Sequence, residues 1–288
     1  MELKEDNPFL QLKARSLLLW FLLISLANGL FFGLIVRFID LDLNDPIMTY
    51  IFYCLSFGLL CLWVLQRFHQ LEVNPRYVVG NLPSGYQWLP VFVLVAAIVM
   101  FSIGTALLLV YCLSLIAPAS VESFLGVLAA ERVESSSLPV FYTILEVLSF
   151  LVVAPITEEF IFRGIILQRW ASKWGTTTGI WVSSIVFGFL HVNPIGLSVF
   201  GIVMALLYLR TGTLIVPIIA HVLNNLLAIL PQILSNSNLE AETINTDYYL
   251  WMGLVFIACS APFLIRFIHK KWPRKPVSLP YFANLRNE

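Results

Sequence analysis

Three short polar clusters interrupt a chain that otherwise reads as hydrocarbon, and each sets its chemistry-bearing groups one helical turn apart. The first is Glu158-Glu159-x-x-x-Arg163. On a helix, Glu159 and Arg163 are i and i+4 neighbours with the acid N-terminal, the order that favours an ion pair. Glu158 points about 100° away around the helix. Its i+3 and i+4 neighbours are Ile161 and Phe162, so it must stay protonated or find a partner on another helix. Burial raises the pKa of a carboxyl group, which suits a general base working near neutral pH. The second cluster is FGFLH, with Phe187 and His191 on one face. The third is HVLNN, with His221 and Asn225 on one face and Asn224 as the i+3 neighbour.

Each cluster alone has a structural reading. The first is an ion pair at a helix end, the second a packed, hydrogen-bonded histidine, the third polar glue between helices. A charge at the centre of a bilayer costs at least ~2.5–3.5 kcal/mol on insertion scales, so three such clusters in one chain point beyond packing. One unpaired carboxylate, two imidazoles and an amide make a hydrolytic set. Glu158 with His191 would hold and deprotonate a water. His221 and Asn225 would donate to the oxyanion that forms when water attacks an amide. Glu146, about three turns before Glu158, reads as a structural or rim residue.

The elements that must position these groups are apolar spans. Of 288 residues, 59% are hydrophobic and 12% charged, with mean hydropathy +0.86. Soluble domains carry about 25% charged residues. The chain is therefore expected to be an all-α, polytopic membrane bundle, a single domain over residues 1–288 with a motif-bearing core at 140–235 and a cytoplasmic tail at 272–288. Net charge is zero, which gives no electrostatic case for nucleic acid. Apolar runs predict eight crossings: 16–38, 47–66, 89–117, 140–162, 176–192, 194–210, 213–234 and 248–268. The fifth and sixth are short and need tilt or local thinning. The third is long, with Gly104 as its expected bend. The first exceeds the 7–15 residues of a signal-peptide core and no A-x-A site follows it, so it reads as a retained helix.

Charge orients this bundle. With both termini cytoplasmic, all of the 17 Lys and Arg except Arg37 and Arg132 fall on the inside, Arg163 among them, as the positive-inside rule requires. Asp40, Asp42, Asp45, Glu122, Glu131, Glu134, Glu240, Glu242 and Asp247 fall outside. An odd number of spans would break the pattern. Residues 67–88 read as a surface loop or a short interfacial segment, and residues 118–139 as an acidic stretch able to form an interfacial helix. Trp20, Trp63, Trp88, Trp170, Trp174, Trp251 and Trp272 lie near span ends, as an aromatic belt predicts. Cys54, Cys61, Cys112 and Cys259 lie in apolar runs without metal or redox spacing and read as small buried hydrophobes.

In order, E-E-x-x-x-R, F-x-x-x-H and H-x-x-x-N resemble the motif pattern of the CPBP family, the CAAX prenyl-protein endopeptidases and the bacterial bacteriocin-processing and immunity membrane proteases. The motif region covers about a third of the chain; the flanking spans are compatible but not diagnostic. The resemblance implies an eight-helix intramembrane endopeptidase with a cavity open to the cytoplasm. It implies that Glu158 activates water with His191, that His221 and Asn225 bind the oxyanion, and that Glu159, Arg163 and Phe187 support them. The implied substrate is a membrane-bound or lipidated polypeptide, and the implied mechanism needs no cofactor. The zincin spacing H-E-x-x-H is absent, although Glu158, His191 and His221 would make a three-ligand zinc site with an open position.

Two other functions compete. A non-catalytic scaffold or immunity protein would keep the fold, and a transporter would use the buried ionisable groups as a path; no inverted repeat is visible to support the latter. The expected location is the cell (plasma) membrane, with an internal membrane as the alternative. One tension stands: hydropathy puts Glu158 near the cytoplasmic end of the fourth span and His191 near the far end of the fifth. Either the fourth helix continues to about residue 170, or the fifth and sixth meet at a buried hinge at Asn193-Pro194.

Overall fold

The computed structural model describes residues 7–39, 46–119, 121, 139–234, 246–274 and 277–287, and these are helix and turn with no strand among them. Numbered along the chain, the helices are α1 (Pro8–Gln11), α2 (Ala14–Ile39), α3 (Pro46–Gln70), α4 (Pro75–Val79) and α5 (Leu89–Ile116). A continuous helical run then carries α6 (Pro139–Leu148), α7 (Ala154–Glu159) and α8 (Gln168–Trp174), joined by the wider π-turns Ser149–Val153 and Phe160–Leu167. The chain closes with α9 (Thr176–Phe189), α10 (Pro194–Thr211), α11 (Ile215–Leu234), α12 (Thr246–Lys271) and α13 (Pro280–Arg286). Five of these, α2, α3, α5, α10 and α12, are long and apolar enough to cross a membrane; α9 and most of α11 are shorter apolar helices. The protein is an all-α, polytopic integral membrane bundle.

The fourth span is longer than hydropathy suggested. It does not stop at residue 162 but stays helical to Trp174, roughly 50 Å at ~1.5 Å per residue. Glu158 therefore sits in mid-helix. Arg163 is no loop charge: it is buried, at 2% exposure, and its pairing with Glu159 makes that burial tolerable. The run ends at Gly175, whose φ of +90° turns the chain directly into α9, a conformation that suits glycine.

The hinge is also present, but it is not buried as expected: Val192 and Ile195 are exposed, and Asn193 and Pro194 are only partly buried. Residues α9 spans rise only about 21 Å, short of the ~30 Å of hydrocarbon, so a helix that starts at one face brings its end to partial depth. The chain leaves helix after Phe189 and re-enters at Pro194. Asn193 caps α10 by accepting from Gly196 N at 3.1 Å, and donates to Ser102 O on α5 at 2.7 Å. Thr105 Oγ1 also donates to it, at 3.1 Å. Gly188 lets α9 and α10 close on each other, since a Cβ there would stand 2.2 Å from Ser198 Oγ. Gly104 serves contact: a Cβ there would meet Gly253 O of α12 at 2.9 Å.

Two apolar cores fill the bundle. One gathers Phe9, Phe68, Val78, Ile165, Tyr208 and Tyr281. The other gathers Ile98, Ile161, Phe187, Phe200, Met204 and Ala220 beneath the polar clusters. The two end segments meet at the first core: the Phe9 ring lies 5.2 Å from that of Tyr281, and Arg169 of α8 donates to the carbonyls of Phe9 and Leu10. Residues 67–88 hold the short α4, capped by Asn74. The cysteines are free thiols but not buried: Cys112 and Cys259 are exposed and Cys54 and Cys61 intermediate, because the outer surface of a membrane bundle is itself an apolar environment. Apart from residues 118, 119, 121 and 139, the expected interfacial helix at 118–139 lies outside the described residues, as do Asp40, Asp42, Asp45, Glu240 and Glu242.

Candidate active site

The first cluster is built on the continuous run through α7. Glu159 is fully buried, and its Oε1 accepts from Arg163 Nη1 at 2.8 Å, the expected i,i+4 pair, and from His221 Nδ1 at 2.9 Å. Arg163 is held further by a bond to Gly201 O at 3.2 Å and by the faces of Phe187 and Phe200, 4.7 and 5.8 Å from its guanidinium carbon. A guanidinium over two ring faces gains cation–π attraction when desolvated. Phe187 thus acts as the wall of an ion-pair chamber, and it also places the next motif residue: its carbonyl accepts from His191 Nδ1 at 2.7 Å.

These bonds fix both imidazoles. A carbonyl can only accept, so Nδ1 of His191 carries the proton and Nε2 keeps its lone pair when the ring is neutral. The Nδ1 of His221 faces a carboxylate in the same way. Both Nε2 atoms then look at one target, Oε2 of Glu158, each from 3.9 Å. That is too long for a hydrogen bond. Oε2 is buried and finds no hydrogen-bond partner among the described residues. Its sister Oε1 is held by the Tyr53 hydroxyl of α3, which donates at 2.7 Å. The partner that Glu158 had to find on another helix is a phenol. His191 is the most open member, with about a third of its side chain exposed; His221 is closed in.

Asn225 lies one turn beyond His221 and has a traceable anchor. Pro155 has no N–H to give. In the preceding π-turn, Ala154 N gives its bond to Ser149 O. The carbonyl of Phe150 is thereby left without either helical partner, and Asn225 Nδ2 donates to it at 2.9 Å. One N–H of that amide remains. Asn224 donates to Asn225 Oδ1 at 3.3 Å. The structure therefore brings Glu158, His191 and His221 around one point, with Glu159, Arg163 and Phe187 behind them. It keeps Asn225 on the same helix face, tied to α6's continuation. Glu146 is partly buried, well before this point on the run.

Three participants were not read from the sequence. Tyr53 lies in a span taken as plain crossing; a tyrosine there, with a polar tip that needs a partner when buried, was the available signal. Phe200 and Gly201 are ordinary apolar-run residues with no signal at all. Two imidazoles anchored at Nδ1 are also the donor arrangement of many metal centres. Among the described residues, however, no three His, Cys, Asp or Glu side chains are gathered closely enough to hold a metal ion.

Residues 140–227 match the family described as Type II CAAX prenyl endopeptidase Rce1-like, a stretch that takes in all three clusters and leaves Tyr53 outside. An uncharacterized 24.3 kDa protein of Escherichia coli is 28% identical over 225 residues, 73% of this chain and 94% of that protein. YdiL of Bacillus subtilis (strain 168), provisionally named a membrane peptidase, is 33% identical over 109 residues, 37% of this chain and 44% of its own length. No solved structure matches the chain at the same stringency.

Proposed function

We propose that this integral membrane protein, whose family match and relatives support a CPBP family intramembrane protease, hydrolyses a peptide bond of a membrane-associated or lipidated polypeptide with a water activated by Glu158. The observation that carries the reading is the buried Oε2 of Glu158, facing two imidazole nitrogens at 3.9 Å with Oε1 already engaged. A contact of that length between polar groups suits one bridging water.

In this mechanism the water sits between Glu158 Oε2 and His191 Nε2. Glu158 takes one of its protons as the oxygen adds to the peptide carbonyl carbon. The oxyanion accepts from the remaining N–H of Asn225 and from His221 Nε2. Because Nδ1 of His221 is donated to Glu159, Nε2 donates only from the doubly protonated ring. When the C–N bond breaks, Glu158 returns its proton to the leaving amine, giving a free carboxyl group and a free amine. No step passes through a metal, and hydrolysis is expected to persist in EDTA. The setting is the cell membrane with both termini cytoplasmic.

The test compares membrane proteomes from cells carrying wild-type or Glu158→Gln protein. New polypeptide termini that appear only with the wild type support the peptidase. Identical termini, with any cellular phenotype retained by Glu158→Gln, support the non-catalytic scaffold.

A further inference from the structure

Glu158 is held from outside its own family-matched segment. Tyr53 reaches it from α3, with its hydroxyl 2.7 Å from Oε1, whereas the match covers residues 140–227. The face of α3 that carries Tyr53 is pinned to the motif helix at two further places: Cys54 Sγ lies 3.3 Å from Ser149 Oγ, and the Tyr50 ring 6.4 Å from that of Phe150. Behind it, the Tyr53 ring rests on Phe57 at 4.5 Å. The phenol is therefore fixed on both sides rather than free to swing.

A carboxylate on a buried helix can rotate about its last torsion and present either oxygen to its surroundings. Here the two oxygens have different fates. Oε1 receives a proton donor, and Oε2 is left to both imidazoles. Among the described residues, no other hydrogen bond to Glu158 fixes this orientation. Arg163 is spent on Glu159 and Gly201, and Glu159 is itself an acid. The Nε2 atoms of His191 and His221 both stand 3.9 Å from Oε2, too far to hold it by a direct hydrogen bond.

We propose that Tyr53 is a positioning residue for the proposed hydrolysis: it donates to Oε1 of Glu158 and so commits Oε2 to the water held against the imidazoles. This rests on the reading of Glu158 as the general base. Without the hydroxyl, the carboxylate samples orientations in which Oε2 no longer faces both nitrogens. Turnover falls while the walls that bind the substrate stay in place.

The experiment has two arms. The first needs no substrate. In full-length protein in lipid nanodiscs, the infrared band of the Tyr53 phenol is assigned by its loss in Tyr53→Phe and then followed in Glu158→Ala. A band that reports a strong donor in the wild type and a weak one in Glu158→Ala supports the contact; the same band in both overturns the proposal whatever the activity. The second arm uses an internally quenched peptide spanning the cleavage site found by the terminus comparison. Tyr53→Phe keeps the ring and removes one bond to a charged group, so kcat per folded molecule is expected to fall about 10- to 100-fold at unchanged KM, whatever the change in melting temperature. Wild-type kcat in Tyr53→Phe, or a loss confined to KM or to folding, overturns it. Activity that survives in Glu158→Gln instead overturns the reading of the base, and the infrared arm then stands alone.

Discussion

Two buried polar clusters share one helical run, and they are finished to different degrees. About three turns beyond Glu158, Gln168 is fully buried. Its Nε2 donates to Gly164 O at 3.0 Å and to Tyr208 Oη at 3.1 Å, and its Oε1 accepts from Tyr281 N at 3.2 Å. Tyr208 in turn donates to Val78 O at 2.7 Å. This knot ties α4, α8, α10 and α13 together with each of its side-chain groups used. In the other cluster, Oε2 of Glu158 and Oε2 of Glu159 are both buried with no hydrogen-bond partner among the described residues. An unsatisfied buried polar atom costs about 1–3 kcal/mol, and more when charged. The completed cluster holds helices; the incomplete one has the open acceptors that the proposed hydrolysis would use.

The largest expected effect tests that contrast from the open side. Glu158→Gln should lower cleavage by about 10²–10⁴-fold yet leave the melting temperature in detergent no lower, since a neutral amide replaces an acid with a free oxygen. A large loss of stability would show that the open cluster holds the fold after all. Arg163→Leu takes the guanidinium from Glu159, leaving that buried carboxylate only the His221 imidazole, and should destabilise by about 3–5 kcal/mol, read by chemical denaturation followed by helical circular dichroism. Gln168→Leu should cost about 1–3 kcal/mol, with the turnover rate per folded molecule unchanged; a drop in that rate would join the two clusters into one. Asn193→Ala removes a helix cap and the ties to α5, for about 0.5–2 kcal/mol, with hydrogen exchange rising at residues 190–196 before it rises in α11.

Much of this was visible in the residues. The i,i+4 pairing of Glu159 with Arg163 needed only helical spacing, and the need of Glu158 for a partner followed from its apolar neighbours. The identity of that partner did not, because Tyr53 lies about a hundred positions upstream and no local pattern links it to Glu158. The end of the fourth span was misplaced because hydropathy treats Arg163 as a signal for water, whereas its charge is neutralised in place by Glu159 and covered by two rings. The hinge at Asn193-Pro194 was legible because proline restricts the residue before it. The anchoring of Asn225 was legible only in part: Pro155 announces a freed carbonyl, but which distant amide takes it depends on how α11 packs.

The link between Gln168 and Tyr281 also bears on how the molecule is made. The amide that Gln168 accepts from lies 113 residues further along the chain, and the Phe9 ring packed on Tyr281 precedes α2. While a ribosome is still short of Tyr281, the nascent chain therefore carries a glutamine without its amide donor and a phenylalanine without one of its covering rings. Synthesis of α13 closes both gaps in one step.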